Sequence, residues 1–244
     1  MISYTLLQQE ADSKQEVVAF DLEGTVTAGY AWRGMRDYLL EHGRETEVKR
    51  FVYRRLPEYY LRRITGRGMQ EFKTRWILQL LQFFRDYSEA QFREMTVWAV
   101  ENELWPQRRL SVLQELVEHQ EQGHRVLVVT GLFEPYVASL IAKMPGVEAI
   151  GTPRVLDDGK VTGKLATPFN LGPRKVEALG PFMREGKVLS AYGDTFPDRH
   201  MLAASTFPVA VSPDKALRQL AEDEGWRILQ DETTGLSDGT ADAA

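Results

Sequence analysis

The chain alternates between short runs of consecutive apolar residues and longer segments in which apolar residues recur every three or four positions. The first run is residues 17–22, and Gly24 follows it as a turn residue. Similar runs occupy residues 125–130, 187–192 and 207–211. A continuous apolar run of this length is typical of a strand buried on both faces, as in a parallel sheet. The pattern therefore predicts four parallel strands.

Helical patterns separate the predicted strands. Residues 110–122 place apolar side chains at offsets of three and four, and Gly123 follows as a stop signal. Strands that alternate with such helices predict βαβ units and a three-layer α/β domain. Residues 30–105 depart from this pattern, because they contain no convincing strand and include a helix-like stretch at 70–85. We therefore predict a helical module inserted into the α/β domain.

Composition narrows the class of protein. The 244 residues are 43% hydrophobic and 27% charged and include no cysteine, which excludes disulfides, zinc–thiolate sites and thiol nucleophiles. The net charge of −5 argues against a nucleic-acid partner. No apolar run approaches the roughly 20 residues that a membrane-spanning helix needs, and residues 1–15 lack the apolar stretch of a secretory signal. We expect a soluble, cytoplasmic protein without stable membrane insertion.

Basic and aromatic residues concentrate in the predicted helical module. Between residues 33 and 75 the chain has 12 Lys and Arg against 6 Asp and Glu, and residues 30–105 hold 15 of the 25 aromatic residues. For most of these side chains we expect solvated helix faces or the core of the module. The alternative is a mouth that attracts anions. The candidates for it are Arg33, Arg36, Arg54, Arg55, Arg62, Arg63, Lys73 and Arg75.

Polar residues follow three of the predicted strands. They are Asp21 and Glu23 after the first strand, Thr130 and Gly131 at the end of the second, and Asp194 and Asp198 after the strand at 187–192. In doubly wound sheets, ligands bind at the carboxyl ends of the strands. Four carboxylates at one edge repel each other unless a cation neutralises them, and hard oxygen ligands favour Mg²⁺. Taken singly, an Asp after a strand is more often a helix N-cap, and Lys175 a solvated surface lysine.

Taken together and in order, these motifs resemble those of the haloacid dehalogenase superfamily on its phosphatase side. The motifs are Asp-x-Glu-Gly-Thr at 21–25, apolar-Thr-Gly at 129–131, Lys175, and Gly-Asp-x-x-x-Asp at 193–198. The resemblance covers residues 17–229 and is strongest to the phosphoserine-phosphatase-like subfamily, in which a helical cap lies between the first two motifs.

The resemblance implies a fold class and a division of the chain. The fold class is α/β, with a Rossmann-like, three-layer parallel-sheet core formed by residues 1–29 and 106–231. Residues 30–105 would form the inserted α-helical cap. Residues 232–244 are rich in Gly, Ser, Thr, Asp and Ala, and this composition predicts a disordered tail.

The resemblance also implies a role for each motif residue. Asp21 would be the nucleophile that forms an aspartyl-phosphate, and Glu23 the acid/base. Mg²⁺ would bind the carboxylates of Asp21 and Asp194 and the main-chain carbonyl of Glu23. Asp198 would orient the metal-bound waters or Lys175. The phosphoryl oxygens would be held by Thr130, Gly131 and Lys175.

Three departures from the subfamily pattern bear on the substrate. Most relatives carry Asp where this chain has Glu23, although a few phosphatases and phosphotransferases carry Glu. Residues 28–32 lack the Glu with which phosphoserine phosphatases bind the substrate ammonium, which argues against phosphoserine because a buried ammonium needs a carboxylate partner. Pro197 replaces an Asn that is common in the fourth motif.

Three residues of the predicted cap are candidates for contact with the leaving group. Tyr30 and Trp32 enter the cap directly from the catalytic loop. Arg75 lies, by rough alignment, near a cap arginine that binds substrate in the relatives. The two aromatic residues lead to the hypothesis of an apolar or aromatic leaving group, such as a lipid-like phosphate.

The combined prediction is an enzyme, an Mg²⁺-dependent hydrolase of small phosphate monoesters that acts through Asp21. One alternative is a phosphotransferase that passes the phosphoryl group to an alcohol. A second is a non-catalytic protein that binds a phosphorylated ligand, which the complete motif set argues against. Dehalogenation also uses an Asp nucleophile, but it does not need the metal site that Asp194 and Asp198 predict. The sequence leads to no prediction of an oligomeric state.

Overall fold

A six-stranded parallel sheet forms the centre of the molecule in the computed structural model, which describes residues 15–65, 68–165 and 167–231. Its strands are β1 (Val17–Phe20), β2 (Arg125–Phe133), β3 (Glu148–Thr152), β6 (Val188–Gly193), β7 (Ser205–Val211) and β8 (Arg227–Leu229). They lie in the order β3-β2-β1-β6-β7-β8, and every neighbouring pair is parallel. The predicted α/β parallel-sheet fold is thereby confirmed.

The strand order reverses beside β1. The chain moves from β1 outward through β2 to β3, and then returns to β6 on the other side of β1. The carboxyl ends of β1 and β6 therefore border a crevice at a topological switch point, which is where open α/β sheets bind their ligands.

Helices cover both faces of the sheet. Val18 and Phe20 of β1 pack in one buried cluster with residues of α6 (Leu110–Glu121) and of the cap. Ala19, which points the opposite way, packs in a second cluster with three later helices. These helices are α8 (Pro173–Leu179), α9 (Arg199–Ala203) and α10 (Lys215–Glu224). The predicted three layers are present.

Helices fill the chain between β1 and β2. They are α1 (Ala31–Glu41), α2 (Glu45–Tyr53), α3 (Leu56–Thr65), α4 (Met69–Leu81), α5 (Glu89–Ala99) and α6. A 3₁₀ turn (Gln82–Phe84) extends α4, and a π-helical turn (Val100–Leu104) extends α5. The predicted helix at 70–85 is thus an α-helix that tightens in its last turn. Helices α1–α5 are the inserted helical cap, and its limits at residues 30 and 105 remain a prediction. The predicted disordered tail, residues 232–244, lies outside the described residues.

The cap and the sheet share one apolar core. Phe84 and Phe92 of the cap are fully buried in the same cluster as Val18 and Phe20. The helix α7 (Glu134–Ile141), which follows β2, reaches the cap through Tyr136, whose hydroxyl donates to the Ala31 carbonyl at 3.3 Å. Apolar packing therefore holds the cap over one end of the sheet.

A β-hairpin outside the main sheet also forms hydrogen bonds with the cap. Strands β4 (Arg154–Asp157) and β5 (Lys160–Leu165) pair antiparallel. Val161 exchanges backbone hydrogen bonds with the cap, donating to Tyr87 and accepting from Asp86, both at 2.9 Å. The Gln82 side chain donates to the Gly163 carbonyl at 2.7 Å. The cap and the hairpin therefore form one structural unit.

Not every strand follows from the hydrophobic pattern. The four predicted strands match β1, β2, β6 and β7 to within a few residues. Neither β3, at the sheet edge, nor β8, which is three residues long, contains a continuous apolar run, and only Ile150 and Thr152 of β3 are buried. Within the described residues, no helix is long and apolar enough to cross a membrane.

Candidate active site

Asp21 follows strand β1 directly and lies at the crevice. The Asp21 N–H donates to the Tyr192 carbonyl of β6 at 2.9 Å, which continues the hydrogen-bond ladder one residue beyond the strand. Asp21 is 7% exposed. Its backbone is fixed by the sheet, and its carboxylate is largely shielded from solvent at the strand ends.

Gly24 allows the chain to turn back immediately after Asp21. Its φ of +91° lies in the region that favours glycine, and its N–H donates to the Thr27 carbonyl at 2.6 Å. A Cβ at this position would lie 1.9 Å from Oδ2 of Asp194. The turn therefore brings the backbone after β1 into direct contact with a carboxylate from β6.

Strand β6 supplies the two other carboxylates. Asp194 follows the strand directly, and Asp198 lies at the end of a 3₁₀ turn, Phe196–Asp198. Oδ2 of Asp198 accepts hydrogen bonds from the backbone N–H of Thr195 at 3.1 Å and from its hydroxyl at 2.9 Å. This capping contact holds Asp198 in one orientation and leaves Oδ1 for another partner.

Lys175 of α8 joins the two strand ends. It is 1% exposed, and its Nζ lies 2.5 Å from Oδ1 of Asp21 and 2.6 Å from Oδ1 of Asp198. Burial alone would lower the pKa of the ammonium, but the charges of Asp198 and Asp21 outweigh burial and raise it. Lys175 therefore stays protonated and acts as a fixed positive charge.

Carboxylates still outnumber cations in this cluster. Oxygen atoms of Asp21, Asp194 and Asp198 lie within 4.8 Å of one another, and Lys175 pairs directly with only two of these residues. Burial, followed by the charges of Asp21 and Asp198, raises the pKa of Asp194 well above its ordinary value. Burial also raises the pKa of Asp21 despite the nearby ammonium. A bound cation would reverse both shifts, so these residues fit a hard divalent ion such as Mg²⁺.

Sequence reasoning missed Thr25 as part of this cluster. Its hydroxyl donates to Oδ1 of Asp194 at 3.1 Å and lies 3.4 Å from Oδ2 of Asp21, and its side chain is fully buried. The hydroxyl links the carboxylates of β1 and β6. No local pattern in the sequence marks this threonine, because its contact with Asp194 joins residues 169 positions apart.

Thr130 and Gly131 lie on the strand beside β1. Val128 of β2 pairs with Phe20, so Thr130 extends beyond that pair toward the same edge as Asp21. The Thr130 oxygen accepts the Leu132 N–H at 3.2 Å, which leaves its proton available for donation. A Cβ on Gly131 would lie 2.8 Å from the Leu171 side chain, so the loop before α8 packs closely on this strand.

Glu23 connects the loop after β1 to the cap. Its Oε1 accepts the Ala31 N–H, the first of helix α1, at 2.6 Å. A carboxylate here satisfies one of the unpaired N–H groups of the helix and interacts favourably with its dipole. An Asp would be shorter by about 1.5 Å, one sp³ bond. Glu23 therefore links the site directly to the first turn of the cap.

The structure places the three predicted cap residues differently from one another. Tyr30 is the N-cap of α1, and burial, then the charges of Asp194 and Glu23, raise the pKa of its phenol. Trp32 packs edge-to-face on Trp76, with ring centroids 6.1 Å apart. Arg75 is half exposed and its guanidinium is ion-paired with Glu58 of α3. Of these three residues, within the described part of the chain, Tyr30 is the one that the charges of the carboxylate cluster affect.

Several other basic residues of the predicted mouth have partners within the cap. Arg36 pairs with Asp37 at 2.7 Å, and Arg62 with Glu58 at 2.8 Å. Arg54 and Arg63 are exposed, and the Arg55 side chain donates to Gln79 at 2.6 Å. The side chain of Lys73 lies outside the described part of the structure. These contacts favour the solvated-helix explanation for most of the basic residues.

Gly24→Ala tests the close approach between the two strand ends. Gly43→Ala is the matched control, since Gly43 also has a positive φ, +76°, but a Cβ there meets nothing within 4 Å. Because alanine disfavours a positive φ, each variant should lower the free energy of unfolding by roughly 1 kcal/mol. We expect Gly24→Ala to lower it by at least about 2 kcal/mol more, because the Asp194 side chain must move to make room for the Cβ. Urea denaturation measures the free energy of unfolding of both variants, and equal decreases would contradict the described packing.

Solved structures share this fold along most of the chain. A protein of unknown function from Bordetella pertussis Tohama I superimposes with a TM-score of 0.71 at 20% identity, covering 89% of this chain and 99% of that one. A phosphoserine phosphatase in its apo form superimposes with a TM-score of 0.61 at 18% identity, covering 90% and 94%. These similarities show the fold.

Curated relatives match over less of their length. Phosphoserine phosphatase SerB1 of Mycobacterium tuberculosis is 36% identical over 116 residues, which is 45% of this chain and 37% of that protein. The inhibition of morphological differentiation protein of Streptomyces azureus is 34% identical over 120 residues, 47% and 43% of the two chains. The matched region is thus less than half of each of these relatives.

A family model covers the site as a whole. Residues 18–203 match the model of the haloacid dehalogenase-like hydrolases. The match begins in β1 and ends in α9, so it includes the cap and every residue of the carboxylate–lysine cluster. The superfamily predicted from the ordered motifs is confirmed: this chain belongs to the haloacid dehalogenase-like hydrolases.

Proposed function

We propose that this chain is a phosphatase that hydrolyses small phosphate monoesters with the help of a divalent cation. The observation that carries the proposal is the buried contact of Lys175 with both Asp21 and Asp198. This contact works against the burial that raises the pKa of Asp21, and it fixes the Asp21 carboxylate at the strand end, as a nucleophile requires. Membership of a hydrolase family and the name of the relative SerB1 support the same conclusion.

Asp21 is the proposed nucleophile. One of its oxygens attacks phosphorus, the bond from phosphorus to the leaving oxygen breaks, and the leaving oxygen takes a proton from Glu23. Water then attacks the aspartyl-phosphate, gives a proton to the Glu23 carboxylate, and the bond between phosphorus and Asp21 breaks. The cycle thus yields an alcohol and phosphate and restores both side chains.

Thr130, Gly131 and Lys175 are proposed to hold the phosphoryl oxygens. The Thr130 hydroxyl has a proton to donate, and the Gly131 N–H belongs to the same strand end. Lys175 contributes a positive charge whose position is fixed by two carboxylates. Since charge spreads over three phosphoryl oxygens during transfer, positioned donors and cations supply most of the catalysis.

The carboxylate cluster is proposed to hold the cation. The carboxylates of Asp21 and Asp194 and the main-chain carbonyl of Glu23 would be its protein ligands, and Asp198 would orient the metal-bound waters or Lys175. When bound, the ion offsets the repulsion between these carboxylates and an anionic phosphate. Thr25 contributes by holding Asp194 through its 3.1 Å hydrogen bond.

Asp21→Asn tests the proposed nucleophile. We expect Mg²⁺-dependent release of inorganic phosphate from p-nitrophenyl phosphate, and we expect the variant to lose at least about 1,000-fold in rate because an amide is a poor nucleophile. A phosphate assay, with Mg²⁺ and with EDTA, measures both effects.

Asp223→Asn on α10 is the matched control, because it makes the same change on an exposed helix face. Its rate should equal that of the wild type. Phosphate release by folded Asp21→Asn at the wild-type rate, or release that EDTA leaves unchanged, would contradict the proposal.

Glu23→Gln tests the proposed acid/base without removing the contact to the cap. The amide oxygen still accepts the Ala31 N–H, but the side chain no longer transfers a proton. We expect kcat to fall by about 100-fold or more, while Mg²⁺ affinity, measured by calorimetry, stays within about twofold because the main-chain carbonyl is unchanged.

Glu103→Gln is the control for this change. Glu103 also accepts a backbone N–H of the same segment, that of Tyr30 at 3.1 Å, but it has no proposed proton-transfer role. A wild-type kcat in Glu23→Gln, or an equal loss in Glu103→Gln, would rule out Glu23 as the acid/base.

A further inference from the structure

Two of the four histidines lie side by side on the wall of a groove outside the candidate active site. His119 lies in the last turn of α6, and His124 follows in the turn that leads to β2. Their Nδ1 atoms are 3.0 Å apart. Both residues are partly exposed, and both line a groove of about 920 Å³ that extends over β6, β7 and β8. A dissolved ion can therefore reach the two rings from this groove.

The outer nitrogen of His119 is held by a relay that ends on a carboxylate. Tyr192 donates its hydroxyl proton to Oε2 of Glu115 at 2.7 Å, and Arg227 donates to the same oxygen at 2.8 Å. Nε2 of His119 lies 2.9 Å from the tyrosine hydroxyl. Since that hydroxyl has only one proton to donate, Nε2 of His119 must supply the proton of this contact. In the neutral ring, Nδ1 then has a free lone pair, and it faces His124.

His124 also has a carboxylate beside its outer nitrogen. Oε2 of Glu16 lies 3.8 Å from Nε2 of His124. Histidines that bind metals in proteins almost always donate their other ring N–H to a carboxylate, a backbone carbonyl or water, which fixes the tautomer and raises the basicity of the free nitrogen. His119 and His124 both have an oxygen partner at the outer nitrogen, and both direct Nδ1 to the same point.

A metal ion at that point requires only a change of tautomer. A proton on Nδ1 of His124 that is donated to Nδ1 of His119 accounts for the 3.0 Å contact. When a metal ion takes the place of this proton, the proton moves to Nε2 of His124, beside the carboxylate of Glu16. Both imidazoles thus remain neutral, which is the form that binds metals.

The distance between the two Nδ1 atoms indicates the kind of ion. At a metal–nitrogen distance of about 2.0–2.1 Å, two nitrogen atoms 3.0 Å apart enclose an angle of about 95° at the ion. This angle is close to the right angle between neighbouring ligands of a square-planar or tetragonal ion, the geometry of Cu²⁺ and Ni²⁺. Tetrahedral Zn²⁺ requires a wider angle.

We infer that His119 and His124 form a binding site for one Cu²⁺ or Ni²⁺ ion, separate from the proposed Mg²⁺ site. The two Nδ1 atoms are its protein ligands, and water from the groove fills the remaining positions. Because the ligands come from both ends of the turn between α6 and β2, the bound ion stabilises the packing of α6 against the sheet. The inference does not depend on the proposed phosphatase function.

Calorimetric titration of the untagged protein with Ni²⁺ in excess Mg²⁺ tests this site. Mg²⁺ keeps the carboxylate cluster occupied, and it does not compete for imidazole nitrogen because it prefers oxygen ligands. We expect one Ni²⁺ per chain, with binding at least about tenfold weaker in His119→Gln and in His124→Gln, since each loses one of two nitrogen ligands. Ni²⁺ should also raise the Tm of the wild type and leave that of both variants unchanged.

Electron paramagnetic resonance with Cu²⁺ as the probe counts the nitrogen ligands. We expect an axial spectrum with coupling to two imidazole nitrogens in the wild type, and loss of this two-nitrogen signal in either variant. A merely structural role of the histidine pair would not produce this signal.

His42→Gln is the matched control. His42 also follows the last turn of a helix, α1, but its Nδ1 lies 2.7 Å from the Tyr38 carbonyl oxygen rather than beside a second imidazole. This variant should bind Ni²⁺ with the wild-type affinity. Asp194→Asn separates the two sites, because it should weaken Mg²⁺ binding and leave Ni²⁺ binding unchanged.

Three results would overturn the inference. They are no Ni²⁺ binding by the folded wild type, equal Ni²⁺ affinity in the wild type and the histidine variants, and loss of Ni²⁺ binding in Asp194→Asn, which would assign the ion to the carboxylate cluster. Thermal denaturation without added metal checks that each variant is folded, and if His119→Gln does not fold, His124→Gln decides. Absence of phosphate release would contradict the proposed function alone.

Discussion

The ammonium of Lys175 lies buried between two carboxylates that come from opposite parts of the chain. Asp21 ends β1, Asp198 ends the turn after β6, and Lys175 lies on the helix between them in sequence. Breaking such a buried contact leaves an uncompensated charge, which costs about 3–5 kcal/mol. The strand order beside β1, the turn at Gly24 and the packing of α8 must therefore all be correct for this contact to form.

The segment from Asp21 to Arg33 connects the carboxylate cluster to the first turn of the cap. It contains the proposed nucleophile and acid/base, the tight turn against Asp194, and the first turn of the cap. Glu23 binds the N-terminus of α1 directly, so a movement of the cap would change the environment of the proposed proton donor. The hairpin and the apolar core shared with the sheet limit such movement.

The sequence predicted the parts of the molecule that depend on local pattern and on motif order. Asp21 and Asp194 follow continuous apolar runs, so their position at one edge could be inferred. Strand β3 lacks such a run because it lies at the sheet edge, and the hairpin depends on hydrogen bonds to a distant cap segment. The contact of Thr25 with Asp194 depends on side-chain packing across the chain, which no local pattern contains.

The proposed chemistry requires the buried carboxylates to form a site for one divalent cation beside Lys175. Calorimetric titration of the wild type and of Asp194→Asn with Mg²⁺ near neutral pH measures this binding. We expect one Mg²⁺ per chain in the wild type and binding at least about tenfold weaker in the variant, because one anionic ligand is lost. Absence of Mg²⁺ binding by the folded wild type, or equal binding by both proteins, would contradict it.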